Sequence, residues 1–246
     1  MEKIKILRKL LSQCNLDGYI IPKNDEFFSQ NIQQNKDRLR FVSKFSGSYG
    51  FAIILKRKNY LFVDGRYTVQ AGMQSGKKFD IKTIPKQLPS KVLKNRKLMI
   101  GFDPKLHTES MLSRLFTKTK CKLVPVKINL IDRIWKNRKD NKVKKFFLLN
   151  KKNVGQDYKS KIAKLSKILN NNKIDLHFIT APENIAWLLN IRGYDSKFAP
   201  IPNSYLLMDR KNNLSFFCNL SKINQNIKKN LKKVSIIDIK YIEHFL

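Results

Sequence analysis

The chain has 246 residues, of which 42% are hydrophobic, enough for a packed core in one large domain or two modest ones. Its net charge of +33 comes from 51 basic residues, 40 Lys and 11 Arg, scattered along the whole length rather than striped with aromatics. That scatter excludes a dedicated nucleic-acid reader and leaves only salt-sensitive attraction to polyanions. Every apolar run meets Lys, Asn or Asp within a few residues, so no membrane span is expected. Cys14, Cys121 and Cys218 lie far apart, which suits small core fillers in a reducing cytoplasm better than disulfides or a metal site.

Taken in order, Lys3 to Gln13 places Ile4, Leu7, Leu10 and Leu11 on one helical face, without the unbroken apolar segment of a signal peptide. Gly18 to Pro22 reads as a short buried strand, Asp25 to Arg40 as polar chain, and Phe41 to Gly50 as a tight loop carrying Gly47 and Gly50. Phe51–Leu55 and Tyr60–Val63 flank a polar turn and read as a hairpin. Asp64-Gly65 then turns the chain into a helix over 66–75, with Arg66 at the mouth of the turn. A guanidinium there either ties down its own loop or meets a carboxylate or carbonyl in a fixed fork. Strands at Phe79–Ile84, Leu98–Phe102 and Cys121–Val126 follow, separated by helices at Pro89–Asn95 and Thr108–Lys118. Strands alternating with helices, plus a hairpin, predict an α/β sheet of mixed direction.

The second part repeats this order. Lys159–Leu169 matches the opening helix, and Asp175–Thr180 matches Asp17–Pro22. Ala186–Gly193 parallels Leu39–Gly47 as an apolar run closed by glycine. Tyr205–Met208 and Leu214–Cys218 form a second hairpin, followed by a polar helix at Leu220–Asn230 and a strand at Val234–Ile239. The expected division is a first domain over 1–132, a linker over 133–157, and an incomplete second domain of the same fold over 158–246. Trp135 and Trp187, both in apolar contexts, are expected as core anchors.

Six stretches in this order and spacing give the sequence a resemblance. They are Asp17–Pro22, Arg40–Gly50, Val63–Tyr67, Gly101–Pro104, Asn129–Trp135 and Glu183–Gly193. With them the chain, from about Asp17 to Ile239, resembles the N-terminal part of a cytosolic-type Xaa-Pro aminopeptidase (aminopeptidase P). The resemblance implies two related creatinase N-terminal-like domains, each a mixed β-sheet flanked by helices, with the second truncated and a C-terminal pita-bread catalytic domain absent. In that family two divalent metals, usually manganese, are held in the C-terminal domain by two Asp, a His and two Glu, and activate a water. Peptides with proline at position two are the implied substrates and a homodimer the implied assembly.

No catalytic or metal site is expected in this chain, since His107, His177 and His244 sit apart without ligand spacing. The resemblance implies that Arg66 binds peptide. Asp64 either orients it or shapes the turn, and Arg192 either lines the approach or ties its loop. Tyr49 departs from the family's usual small residue, and Phe27-Phe28 from a polar, histidine-containing segment. A free-standing, non-enzymatic pseudo-peptidase binding module is the alternative.

Overall fold

The computed structural model describes residues 2–139 and 141–246, with the backbone alone at Lys151. The chain divides into two compact units, residues 1–140 and 141–246. In the first, α1 (Glu2–Gln13) precedes β1 (Gly18–Pro22), and α2 (Arg38–Ser43) precedes a hairpin of β2 (Gly50–Leu55) and β3 (Asn59–Asp64). After these come α3 (Thr68–Ser75), β4 (Asp80–Ile84), α4 (Pro89–Val92), β5 (Met99–Phe102), α5 (Glu109–Phe116), β6 (Lys122–Pro125) and α6 (Leu130–Ile134). The six strands form one sheet in the order β4-β3-β2-β1-β5-β6. The β1–β2 and β2–β3 pairs are antiparallel, whereas β3–β4, β1–β5 and β5–β6 are parallel. The short turn of the β2–β3 hairpin reverses the chain, and the crossovers through α3 and α5 return β4 and β6 parallel to their neighbours, while β1 and β2 are antiparallel across the longer connection that carries α2.

β2 is buried along its whole length, and its alternate residues feed opposite faces. Ala52 and Ile54 join Leu7, Leu11 and Leu39 under α1 and α2, while Phe51, Ile53 and Leu55 join Leu112 and Phe116 of α5. This gives three layers, helix, sheet and helix, with a core on each side of the strands.

The second unit contains β7 (Phe147–Leu148), α7 (Tyr158–Asn171), β8 (Leu176–Ile179), α8 (Pro182–Leu189) and β9 (Ile191–Arg192). A hairpin of β10 (Ser204–Asp209) and β11 (Leu214–Cys218), then α9 (Gln225–Asn230) and β12 (Val234–Asp238), follow. Its sheet runs β12-β11-β10-β8, with β11–β12 parallel and the other two pairs antiparallel. Order and direction are those of β4-β3-β2-β1, so the repeat is a repeat of topology. The helices before the two hairpins also end alike, each closed by a left-handed residue: Lys44 at φ 67° and Asn190 at φ 54°.

Several local expectations change. α2 falls across the boundary between the expected polar stretch and the expected loop, because six residues give too little periodicity to show. It is set instead by its ends: the Asp37 side chain accepts the Arg40 N–H at 3.0 Å. The helix expected over 220–230 breaks at Ile223, where Asn224 starts a new one by accepting the Ile227 N–H at 2.9 Å. Two aromatic residues of the stretch 133–157 are packed, one in each unit. Trp135 stacks on Phe41 at 4.4 Å, and Phe146 is fully buried in the second unit's core.

Trp187 corrects the expectation of a core anchor, being 60% exposed. The helical period turns Ile185, Leu188 and Leu189 inward and leaves position 187 outside. Its ring carries the Lys161 ammonium at 4.3 Å instead.

Candidate functional site

The turn after β3 is built by one carboxylate. Asp64 Oδ1 accepts the Arg66 backbone N–H at 3.0 Å, which caps the short 3-10 turn Gly65–Tyr67. The same oxygen accepts the Arg66 Nε–H at 2.8 Å. The guanidinium side chain is nonetheless 73% exposed. With Nε held, the fork that remains is the pair of η nitrogens, the edge that makes two parallel bonds to a carboxylate. The hydrogen bonds from Arg66, side chain first and then backbone, hold the Asp64 carboxyl below its usual range. Asp64 therefore stays charged at neutral pH and keeps the arginine pre-oriented.

Behind the arginine the surface is set by aromatic packing. Tyr67 packs edge-on against buried Phe45 at 5.9 Å, and its hydroxyl is 2.8 Å from the Ser48 hydroxyl. Gly50, at φ 155°, lies so close to β3 that a Cβ would come within 2.6 Å of the Phe62 carbonyl oxygen. α3 continues outward with Val69 and Met73, four residues apart, both exposed, and Tyr49 is exposed as well. One end of the first unit thus presents an oriented cation beside an apolar helix face.

Arg192 lies in the second unit and has local work. Its Nη1 donates to the Ala186 carbonyl at 2.8 Å and to the Ile191 carbonyl at 2.9 Å, so it ties the end of α8 to β9. Lys161, whose role sequence reasoning missed, acts at the same helix end. Its buried ammonium donates to the Trp187 carbonyl and to Asn190 Oδ1. Burial first, and then the neighbouring Arg192 charge, lower its pKa.

A buried ionic cluster in the first unit also went unseen. Arg38, 2% exposed, donates to Glu26 Oε1 at 2.6 Å and, through two nitrogens, to Asp132 at 2.8 Å each. Arg138 pairs with Asp132 and Lys36 with Glu26. The only hint of this in the sequence was Asp132 inside the Asn129–Trp135 stretch.

Among the described residues, no three His, Cys, Asp or Glu side chains are grouped to hold a metal. His107 is buried with Nδ1 2.9 Å from the Asp103 carbonyl oxygen, and burial lowers its pKa. The described residues therefore do not fit a dinuclear metal centre. Phe28, in the segment that departs from the family pattern, stands at φ 53°.

Residues 3–134 match the family described as the creatinase/prolidase N-terminal domain, and residues 137–246 match a second family of that description. A probable Xaa-Pro aminopeptidase P of Laccaria bicolor is 31% identical over 245 residues, covering 95% of this chain and 38% of that protein. Xaa-Pro aminopeptidase 1 of Dictyostelium discoideum is 28% identical, covering 94% of this chain and 39% of that protein. The chain therefore spans about two fifths of these relatives' length. The crystal structure of an X-prolyl aminopeptidase from Caenorhabditis elegans, described as a cytosolic enzyme with a di-nuclear active site, superposes with a TM-score of 0.91 at 26% identity. That match covers 99% of this chain and 43% of the other.

Proposed function

Since the chain belongs to the creatinase/prolidase N-terminal domain family, we propose that it is the non-catalytic N-terminal part of a cytoplasmic Xaa-Pro aminopeptidase. The observation that carries this reading is the TM-score of 0.91 to the C. elegans aminopeptidase, extending over 99% of the chain. Such an enzyme removes the N-terminal residue before a proline. In this reading the hydrolytic chemistry, with two metals of which manganese is the one the resemblance implies, belongs to a C-terminal domain outside these 246 residues.

In this reading the first unit's contribution is peptide contact through Arg66. Asp64 holds Nε, so the η edge is presented to a peptide carbonyl or carboxylate with little rotamer entropy left to lose. The exposed α3 face with Val69 and Met73 borders the entrance or supports a homodimer.

The test is Arg66→Ala in the longer protein. Losing one charge-assisted contact raises KM about tenfold or more, while bound metal, measured by elemental analysis, stays at the wild-type ratio. Unchanged peptide affinity would remove Arg66 from the substrate site.

A further inference from the structure

Tyr49 stands beside the turn that holds Arg66. Gly50 opens β2 and pairs with Val63 of β3, so Tyr49 leaves the sheet next to Asp64, the carboxylate that carries the arginine. The residues on either side touch as well: the Ser48 hydroxyl lies 2.8 Å from the Tyr67 hydroxyl. Tyr49 and Arg66 thus flank one hydrogen bond, and both face solvent. Tyr49 is 50% exposed, and the Arg66 side chain 73%.

The backbone under Tyr49 is fixed on both sides. Before it, Gln74 Oε1 accepts the Ser46 N–H at 2.8 Å, and Gln74 Nε2 donates to Ser46 Oγ at 2.8 Å. Gly47 lies so close to buried Phe45 that a Cβ would come within 2.2 Å of the ring. After it, the Gly50 carbonyl accepts the Lys23 N–H at 3.0 Å. Among the described residues, no hydrogen bond or ring contact occupies the Tyr49 side chain itself. A lone exposed tyrosine is ordinary on a protein surface. Here the ring stands on fixed backbone beside a cation whose own direction is fixed, and that juxtaposition carries the assignment.

We propose that Tyr49 is a specificity-determining residue of the peptide site, selecting substrates with an aromatic side chain beyond the proline, within a residue or two of the group that Arg66 binds. This rests on the aminopeptidase reading, in which the first two residues of the peptide are taken by the hydrolytic centre and the following ones meet this unit. Adjacent strand ends lie about 4.8 Å apart and an extended peptide advances about 3.3 Å per residue, so neighbouring peptide residues span the ends of β2 and β3. Tyrosine suits the task, since its large ring has few rotamers to lose on binding. An offset or edge-on pair with a substrate ring adds about three- to tenfold in affinity.

The experiment measures KM in the longer protein for peptides that share their N-terminal residue and proline and carry either phenylalanine or alanine at positions three and four. The expected result is a KM about three- to tenfold lower when phenylalanine stands at one of those positions. Tyr49→Ala should bring the two kinds of peptide to within about twofold of each other, whereas Tyr49→Phe, which keeps the ring, should preserve the preference. Arg66→Ala should instead raise KM for all the peptides and leave their ratio in place. No preference in the unaltered protein, or a preference that survives Tyr49→Ala, would overturn the assignment while leaving the aminopeptidase reading intact. A longer protein that releases the N-terminal residue from none of the peptides would overturn both.

Discussion

The two units share four strands in the same order and direction but are finished differently. In the first, β1 is an interior strand, paired to β2 on one side and to β5 on the other. In the second, its counterpart β8 pairs only with β10 among the described residues, and Leu176 is 52% exposed. The buried cations are satisfied differently too. The first unit locks the start of α2 by pairing Arg38 with the carboxylates of Glu26 and Asp132. The second sets its cations on neutral acceptors at the end of α8: Lys161 and Arg192 donate to the Trp187 and Ala186 carbonyls and Lys161 to Asn190 Oδ1, with no carboxylate at hydrogen-bonding distance among the described residues. A common topology thus fixes where the strands go, while the cost of burying a cation is met by different chemistry.

The largest expected effect comes from breaking the ionic lock. Arg38→Ala leaves Glu26 and Asp132 without their buried partner and should destabilise the first unit by about 3–5 kcal/mol in urea unfolding. The second unit's transition should stay in place.

Acid should separate the units next. Burial alone would raise the Glu26 pKa, but the charges of Lys36 and Arg38 and the Lys36 hydrogen bond overcome it and hold the group at about 2. A carboxylate depressed in the folded state stabilises above its unfolded value, and that contribution is lost as pH falls toward the folded value. The first unit should therefore lose about 3 kcal/mol between roughly pH 4.5 and 2. Arg38→Ala should reduce this dependence without abolishing it, since Lys36, whose charge and hydrogen bond also depress Glu26, remains.

A smaller effect tests the second arrangement. Lys161→Met keeps the apolar stem but takes a donor from Asn190 Oδ1 and from the Trp187 carbonyl, which is left with the Asn190 N–H at 3.4 Å, and should cost about 1–3 kcal/mol in the second unit alone. The smallest concerns the open edge. Leu176→Lys should change the chain's stability by no more than about 0.5 kcal/mol, as expected of an exposed edge position.

Much of this contrast was legible in the sequence. Strands such as Phe51–Leu55 and Leu214–Cys218 announce themselves by apolar and aromatic runs between polar turns, and the repeat followed from their order. The Asp64–Arg66 pair was legible because both partners lie within one turn. Arg38 with Asp132, 94 residues apart, was not, because nothing local in either segment names its partner. α2 was missed since its boundaries rest on single side-chain caps, and Trp187 misled because its apolar neighbours belong to the buried face of the same helix.

The central claim, that these residues position and contact peptide while hydrolysis is done elsewhere, is tested most directly by a single assay. The 246-residue chain and the longer protein are each supplied with manganese and a peptide bearing proline at position two, and release of the N-terminal residue is followed. The account predicts release by the longer protein and none by the chain alone. Turnover by the chain alone, surviving repurification, would contradict it.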